Sequence, residues 1–316
     1  MARKRQRNEY RKDYLLDRWV IITANRGKRP KEFVRKTKAK KHEDGCVFCA
    51  GNEHLTPPEI SRIGDGKGGW LVRCFPNKFN AVDLKFPRAY GTHEVIVETP
   101  EHDKRLAELS VLGIERVLRM YLQRIKALSR LKRIKYVSIF KNEGANAGAS
   151  IAHTHTQLIS VDRIPTLIER KAEAVRLKSS RRSSAHERIW KKEKREKKRV
   201  VYENEHFIAF CPYAPRFSFE TWLYCKMPRS RFVDLAEEER TSLAGALKEV
   251  LGKLDGLLGE PDYNYYLQSA PRKDKHFRFH IEIIPRVNVW AGFEFGSGIC
   301  LNSMPPERAA EALRKA

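Results

Sequence analysis

The stretch that decides the fold is NAGASIAHTHTQLISV, which runs from Asn146 to Val161. Two histidines stand one residue apart in it, behind a run of small residues and ahead of an apolar segment. Side chains alternate between the two faces of a β-strand, so His153, His155 and Gln157 share one face, with neighbours about 7 Å apart. The pattern predicts a strand on which one imidazole binds a metal or a structural partner while the next meets a substrate.

The loop before this strand, NEGANAGAS, is rich in glycine. Gly144 and Gly148 can adopt positive φ, and turns of this kind form nests of backbone amides that bind anions. Ser150 adds a hydroxyl donor. An ordinary hairpin loop is the competing interpretation, but the adjacent histidines favour a phosphate site within reach of His155.

The composition favours anionic partners. The chain has 316 residues and a formal charge of +24, from 63 basic and 39 acidic residues. Such a field attracts nucleotides, sugar phosphates and nucleic acid. A basic nucleic-acid-binding module is therefore the rival function, but the basic runs lie outside the motifs and indicate solvated surfaces. The high Lys and Arg content with many Glu resembles the surface of a thermophile protein.

Targeting and redox signals point to the cytoplasm. The basic N-terminus has no apolar core behind it, and no apolar run approaches the roughly 18 residues of a membrane span. The six cysteines are sparse, which is typical of a reducing compartment rather than of a disulfide scaffold. We expect a cytoplasmic protein with no membrane partner.

Cys46 and Cys49 form a CxxC pair with the spacing of zinc ligands. The segment that follows, AGNEHLTPPE, is poor helix material, which disfavours a thioredoxin-like site. Two further ligands are needed, and composition leaves five candidates open: His42, His54, His93, His102 and His153.

The order of predicted elements repeats along the chain. Strand, strand, helix, strand, strand occurs once before residue 167 and again after residue 200, and His280 of the second set matches His155. This predicts an α+β fold of two halves whose antiparallel sheets, flanked by helices, join or face each other. The predicted divisions are a basic disordered arm (1–14), an N-terminal half with the zinc and active sites (15–167), a charged helical connector (168–200) and a C-terminal half (201–316).

These motifs together resemble the galactose-1-phosphate uridylyltransferase family of the histidine-triad superfamily. The matching stretches run in order from about residue 17 to 313 and are RGKRP, CVFCAGN, FPNKFNAV, HEVIVETPEHDKRLAEL, FKNEGANAGASIAHTHTQ and HIEIIPR…AGFE. The resemblance implies two fused histidine-triad halves, a homodimer, and nucleotidyl exchange through a uridylyl-histidine. In galactose metabolism, UMP would be exchanged between UDP-glucose and galactose 1-phosphate.

The resemblance also assigns residues. It implies one structural zinc per chain on Cys46, Cys49, His102 and His153, the nucleophile on His155 and a transition-state donor on Gln157. Ser150 is expected to assist catalysis. Substrate contacts are implied at Arg26, Arg29, Asn77, Phe79, Asn142, Gly148, Ser150 and Glu294.

Departures from the family pattern limit what the resemblance implies about a second metal and about the sugar. Where the bacterial pattern has a second H-x-H, this chain reads Arg278-Phe279-His280, so we expect no second metal. Asn288 and Phe293 differ from the bacterial pattern at hexose contacts, which leaves the sugar open. Phosphorolysis of ADP-glucose or of dinucleoside tetraphosphates, catalysed by related branches, remains the alternative, and binding of nucleic acid is not expected.

Overall fold

The computed structural model of the chain describes residues 7–23 and 45–316. Within these residues the strands form one sheet of three strands and one of ten. The small sheet contains β1 (Glu9–Lys12), β2 (Trp19–Ile22) and β13 (Cys300–Asn302). The large sheet contains, in spatial order, β3 (Ser61–Gly64), β4 (Trp70–Pro76), β5 (Gly91–Val97), β7 (His155–Val161), β6 (Tyr136–Glu143), β11 (Tyr263–Gln268), β12 (His280–Pro285), β10 (Thr221–Cys225), β9 (Phe207–Phe210) and β8 (Val200–Glu203).

Helices flank these sheets. They are α1 (Val111–Leu128), α2 (Thr166–Lys178), α3 (Ala185–Glu196), α4 (Glu237–Leu258), α5 (Gly292–Ser297) and α6 (Pro306–Lys315). No helix among the described residues combines the length and the apolar character that crossing a membrane requires.

The large sheet confirms the predicted α+β class and its internal duplication. Its two central strands, β6 and β11, pair antiparallel. Outward from this pair, each half arranges its own five strands in the order fourth, fifth, third, second, first, and α1 and α4 each connect the third strand to the fourth. The five-stranded sheets of the two halves therefore join edge to edge within the large sheet, which pairs two edges that would otherwise be open. The residue limits proposed for the halves and the connector remain predictions.

The core covers one face of the large sheet. On α4, Leu243, Leu247, Val250 and Leu254 recur at helical spacing and are buried. They belong to one cluster with the apolar side of α1 and with inward residues of the strands, such as Leu158 of β7. The α1 and α4 helices therefore occupy this face, and ligands must approach from the other.

The opposite face carries a row of side chains that crosses both halves. Register pairs Gln157 with Phe140, Phe140 with Tyr266, Tyr266 with Glu282, and Glu282 with Trp222. Residues directly opposite each other in neighbouring strands project from the same face of a sheet. His155 lies two residues before Gln157 on β7 and therefore lies on this face too.

The predicted disorder of the arm does not hold for residues 9–12, which form β1 and pair with β2. Arg11 explains why this segment is ordered. Its buried guanidinium donates to the carbonyl of Tyr213 and pairs with Glu307 at 2.9 Å. A basic sequence that looks solvated therefore has an acidic partner far along the chain.

Candidate active site and metal centre

Four side chains gather into one possible metal centre. The ligand atoms of Cys46, Cys49, His102 and His153 all lie within 4.8 Å of one another. Cys49 Sγ lies 3.3 Å from Nδ1 of His102 and 3.6 Å from Nδ1 of His153, and Cys46 Sγ lies 3.8 Å from the latter atom. Among the described residues, the structure therefore brings His102 and His153 to the cysteines, as the resemblance implied, and not His54 or His93. His42 lies outside the described residues.

This cluster fits zinc. A tetrahedral edge is about 1.6 times the centre-to-corner distance, so Zn–S of about 2.3 Å and Zn–N of about 2.0 Å predict S···N separations of about 3.5 Å. His153 donates from Nε2 to the carbonyl of Thr99 at 2.8 Å, which leaves Nδ1 unprotonated for a metal. Burial and, to a smaller extent, the neighbouring Cys46 raise the pKa of the Cys49 thiol to about 11. The thiol therefore keeps its proton in the absence of metal and would lose it when a cation binds.

His155, the expected nucleophile, is held as a neutral imidazole. Its Nδ1–H donates to the carbonyl of His153 at 2.8 Å, so Nε2 is the basic nitrogen, and the described residues place no hydrogen bond on it. The ring is 6% exposed and packs edge-on against Phe48 at 5.2 Å. Burial lowers the pKa of His155, with the charge of Lys141 acting in the same direction. A neutral imidazole therefore presents a lone pair to the open face.

Behind the strand, a buried ion pair fixes the histidine backbone. Lys141 donates to Glu98 at 2.8 Å and to the carbonyl of His155 at 3.2 Å, and Thr154 and Thr156 also donate to Glu98. Burial alone would lower the pKa of Lys141, but the carboxylates of Glu98 and Glu143 leave it raised. Sequence reasoning missed this pair, although a charge in each of two apolar segments was the available signal.

The glycine loop has the conformation that phosphate binding needs. Gly144 and Gly148 have φ of +82° and +89°, and Ser150 is exposed. The second half anchors the loop, because Asp262 accepts from the backbone amide of Asn146 at 2.8 Å. This anchor was not predicted.

Asn142 lies on β6 beside that loop. Its Oδ1 accepts from the side chain of Asn264 at 2.9 Å, and Asn264 also donates to the carbonyl of Ala147 at 2.8 Å. The Asn142 amide therefore directs its Nδ2 donors away from Asn264, as a phosphate contact requires. Asn264, from the other half, is a second residue that the sequence did not reveal.

Gly144→Ala is expected to lower the rate of catalysis at this candidate site at least tenfold while the protein stays folded. A Cβ at this position would overlap the Asp262 carboxylate, and positive φ disfavours alanine. Gly256→Ala in α4 is the matched control, because nothing lies within 4 Å of its Cβ and alanine favours a helix. Steady-state rates and thermal melting of both variants check the result, and equal activities would refute a role for the loop backbone.

Gln157 and the loop after β4 meet at His93. Gln157 Oε1 lies 2.8 Å from Nε2 of His93, and the backbone amide of Ala81 donates to Nδ1 of His93 at 3.2 Å. Burial lowers the pKa of His93 and keeps the ring neutral. His93 was considered at the sequence level only as a possible metal ligand, and the structure places it elsewhere.

The expected nucleoside contacts lie on the same loop. Asn77 Oδ1 accepts from the amide of Phe79 at 2.9 Å, and the Phe79 ring is 84% exposed. A phenyl ring held out by a tight turn is a stacking surface for a base. Arg26 and Arg29, the expected phosphate contacts, lie outside the described residues.

Glu294 lies in the first turn of α5, and its Oε2 accepts from the amide of Ala291 at 2.9 Å. It is 9% exposed, so it is not a surface carboxylate, and no Lys or Arg among the described residues forms an ion pair with it. One carboxylate oxygen caps the helix, and the other accepts no hydrogen bond from the part of the chain that the structure describes.

A cavity of about 680 Å³ opens beside this site, on the same face of the sheet. Phe140, which pairs with Gln157, forms part of its wall. Its volume is in the range of small-molecule pockets. The other lining residues come largely from the second half, and they include Asn264, Arg216, Tyr266, Arg286 and Trp290.

In the second half, the position equivalent to His155 is tightly packed. His280 is buried, stacks on Tyr224 at 4.4 Å, and donates from Nδ1 to the carbonyl of Arg278 at 2.9 Å, as His155 does to His153. Arg278, which stands where the first half has His153, donates to Glu187 and to the carbonyl of Lys275. A guanidinium here is unsuited to bind a cation, and the absence of a second metal remains a prediction.

Comparisons with known proteins support the resemblance. The family described as "Domain of unknown function (DUF4921)" matches residues 90–316. An ADP-glucose phosphorylase from Arabidopsis thaliana is 29% identical over an alignment of 334 positions that covers 98% of this chain and 93% of that protein. A galactose-1-phosphate uridylyltransferase from Thermotoga maritima is 29% identical over an alignment of 333 positions that covers 97% of this chain and 98% of that protein.

Solved structures agree with these relatives. A structure of the Arabidopsis thaliana ADP-glucose phosphorylase with bound ADP-glucose matches with a TM-score of 0.85 at 28% identity, covering 98% of this chain and 99% of that one. A uridylyltransferase structure matches with a TM-score of 0.77 at 27% identity, covering 97% and 98%. The predicted resemblance to galactose-1-phosphate uridylyltransferases is thus confirmed over nearly the whole chain.

Proposed function

The chain belongs to the DUF4921 family, whose description assigns no activity, and we propose that it is a nucleotidyltransferase that works through a nucleotidyl-histidine at His155. The observation that carries this proposal is the geometry of His155. Its Nδ1–H is engaged by the carbonyl of His153, so Nε2 offers its lone pair on the open face beside the glycine loop. A nucleophile with a fixed tautomer and a lowered pKa suits attack on phosphorus.

In the first step, Nε2 of His155 attacks the α-phosphorus of a nucleoside diphosphate sugar. The N–P bond forms as the bond to the bridging oxygen breaks, and the sugar 1-phosphate leaves with the electron pair. The ring gains a positive charge, which the His153 carbonyl stabilises through the retained Nδ1–H. The leaving phosphate monoester is a weak base, so no general acid is required.

In the second step, a phosphate oxygen of the acceptor attacks the same phosphorus, and the N–P bond breaks to restore neutral His155. Charge on the non-bridging oxygens is met by fixed donors, namely the loop amides, Ser150 and the Gln157 amide. Zinc held by Cys46, Cys49, His102 and His153 would act structurally by fixing the turn that leads into β7.

For the substrates, we propose UDP-glucose as donor and galactose 1-phosphate as acceptor, in a homodimer. The Thermotoga maritima relative, aligned over 98% of its own length, supports this assignment. The exposed Phe79 ring provides the stacking surface for uracil, and the adjacent cavity has room for the hexose phosphate.

Phosphorolysis of ADP-glucose is the second candidate. It is favoured by the TM-score of 0.85 to the phosphorylase with bound ADP-glucose, against 0.77 to the uridylyltransferase. The histidine chemistry would be the same, with an adenylyl group on His155 and inorganic phosphate as acceptor.

A matrix of donors and acceptors tests both candidates. UDP-glucose and ADP-glucose are each incubated with galactose 1-phosphate and with inorganic phosphate, and products are followed by phosphorus NMR. UDP-galactose with glucose 1-phosphate supports the uridylyltransferase, and ADP with glucose 1-phosphate supports the phosphorylase. If no pair reacts and the protein instead binds polynucleotide with steep salt dependence, the enzyme proposal is wrong.

Glu294→Ala is expected to lower kcat/KM for the sugar 1-phosphate by roughly 10- to 100-fold. A carboxylate can accept from two adjacent hydroxyls, and losing a charged partner costs about 1.5–3 kcal/mol. UMP, which lacks the sugar, should bind nearly as before.

Glu294→Gln separates this role from the cap of α5, because its amide oxygen can still accept from Ala291. It should keep the thermal stability but lose part of the sugar activity. Should UMP affinity fall as far as sugar turnover in Glu294→Ala, the residue acts through the fold.

A further inference from the structure

We propose that His93 is a positioning residue that orients the Gln157 amide, so that its NH₂ group rather than its oxygen faces the reacting phosphate. The inference rests on the proposed nucleotidyl transfer and adds a residue to it. It follows from the hydrogen bonds around one buried imidazole, in which a backbone amide fixes the tautomer of the ring.

The first step is the tautomer of His93. The backbone amide of Ala81 donates to Nδ1 at 3.2 Å, and a backbone amide cannot accept. Nδ1 must therefore be unprotonated, and in a neutral ring the proton then lies on Nε2. The ring is buried among uncharged neighbours, which favours the neutral form.

The second step is the orientation of Gln157. Because Nε2 of His93 carries the proton, it must meet an acceptor, and Gln157 Oε1 lies 2.8 Å away. The amide nitrogen of Gln157 is then directed away from His93. In the opposite orientation two donors would face each other, and the Gln157 oxygen would face phosphate oxygens of like charge.

The third step is that the loop after β4, which carries Asn77, Phe79 and Ala81, holds the His93 ring in place. Asn77 and Ala81 both contact the His93 ring, and Asn77 Oδ1 also accepts from the amide of Phe79. The Asn77 Nδ2 atom also lies 3.1 Å from Nε2 of His93 and would donate to it if that nitrogen were unprotonated, so the tautomer of His93 is the decisive observation. One imidazole thus connects the loop expected to hold the base with the amide expected to hold the phosphate.

The strand register makes the contact possible. Val95 lies opposite Gln157 and His93 lies opposite Ile159 across β5 and β7, so His93 is the diagonal neighbour of Gln157 on the same face. Diagonal neighbours are about 7–8 Å apart at Cα, a distance that long side chains span. The sequence gave no sign of this contact, because the two positions are 64 residues apart.

A double-mutant cycle tests the proposal. The rate of nucleotidyl-His155 formation is measured in single turnovers at saturating sugar nucleotide for His93→Ala, Gln157→Ala and the double variant. We expect His93→Ala to slow labelling about tenfold and Gln157→Ala to slow it about 100-fold, since one lost donor costs about 10²–10³. The double variant should match Gln157→Ala within about twofold, because His93 acts through Gln157.

His93→Gln is the matched control. Its side-chain amide can place an N–H near the position of Nε2, so labelling should remain within about threefold of the wild type. If His93→Ala slows the Gln157→Ala background by a further tenfold, or if His93→Gln is as slow as His93→Ala, the positioning role is wrong.

Nitrogen NMR of the imidazole rings gives a readout that does not depend on activity. We expect His93 as the Nε2–H tautomer, with its Nε2 signal shifted by Gln157→Ala. If the wild type is labelled by no sugar nucleotide, the proposed function fails, but the tautomer still decides the orientation of Gln157. An Nδ1–H tautomer, or an Nε2 signal that Gln157→Ala leaves unchanged, overturns the inference.

Discussion

His155→Ala is expected to abolish nucleotidyl transfer, by about 10³-fold or more, and to leave the fold intact. The substitution removes the only nitrogen that we expect to form the covalent intermediate, and no binding contact can replace a lost nucleophile. The measurement is labelling of the protein by UDP-glucose or ADP-glucose carrying radioactive α-phosphate, together with circular dichroism. The variant should give a native spectrum and no label.

His280→Ala is the matched control, because His280 holds the equivalent position in the second half. Its ring is buried against Tyr224, so the variant should melt at a lower temperature yet still be labelled where it is folded. Label that persists in His155→Ala, or that disappears equally in both variants, would show that the nucleophile lies elsewhere.

Removal of zinc is expected to have the largest effect on stability. Purified without chelator, the protein should contain one zinc per chain, and Cys49→Ser should contain less. A metal that binds the folded state alone adds about 4 kcal/mol when its free concentration is a thousand times Kd. For a protein of this size that corresponds to a fall in Tm on the order of 5–10 °C.

Cys225→Ser separates the metal from the general cost of a buried polar atom. Cys225 is buried in β10, in the other half from the cluster. This variant should lose stability but keep one zinc per chain. A wild-type protein that is free of metal, fully active and unchanged in Tm by chelator would refute the site.

Alternation along a strand was readable from the sequence. His155 and Gln157 lie on one face of β7, and the glycine loop before them has positive φ, because both properties follow from neighbouring residues. The repeated order of elements likewise predicted the duplicated α+β fold. His102 as a metal ligand came from the resemblance, since spacing left five histidines open.

Pairs of buried polar groups were harder to predict from the sequence. Lys141 in β6 and Glu98 just after β5 each look unfavourable in an apolar segment when considered alone, and they become a neutral pair only when β5 and β6 lie on the two sides of β7. The isolated charge would be costly to bury, whereas the pair is stabilised by its hydrogen bonds. A sequence pattern shows the cost but not the partner.

The sequence by itself determined the chemical groups of this site and the strand that presents them, because side-chain alternation is a property of the local backbone. Only the tertiary structure decided which groups meet. It placed His93 on Gln157 and Asn264 on Asn142, through the register of β5 on β7 and of β6 on β11. Register depends on how distant strands share one core, and a shift of one residue would turn each of these side chains to the other face of the sheet.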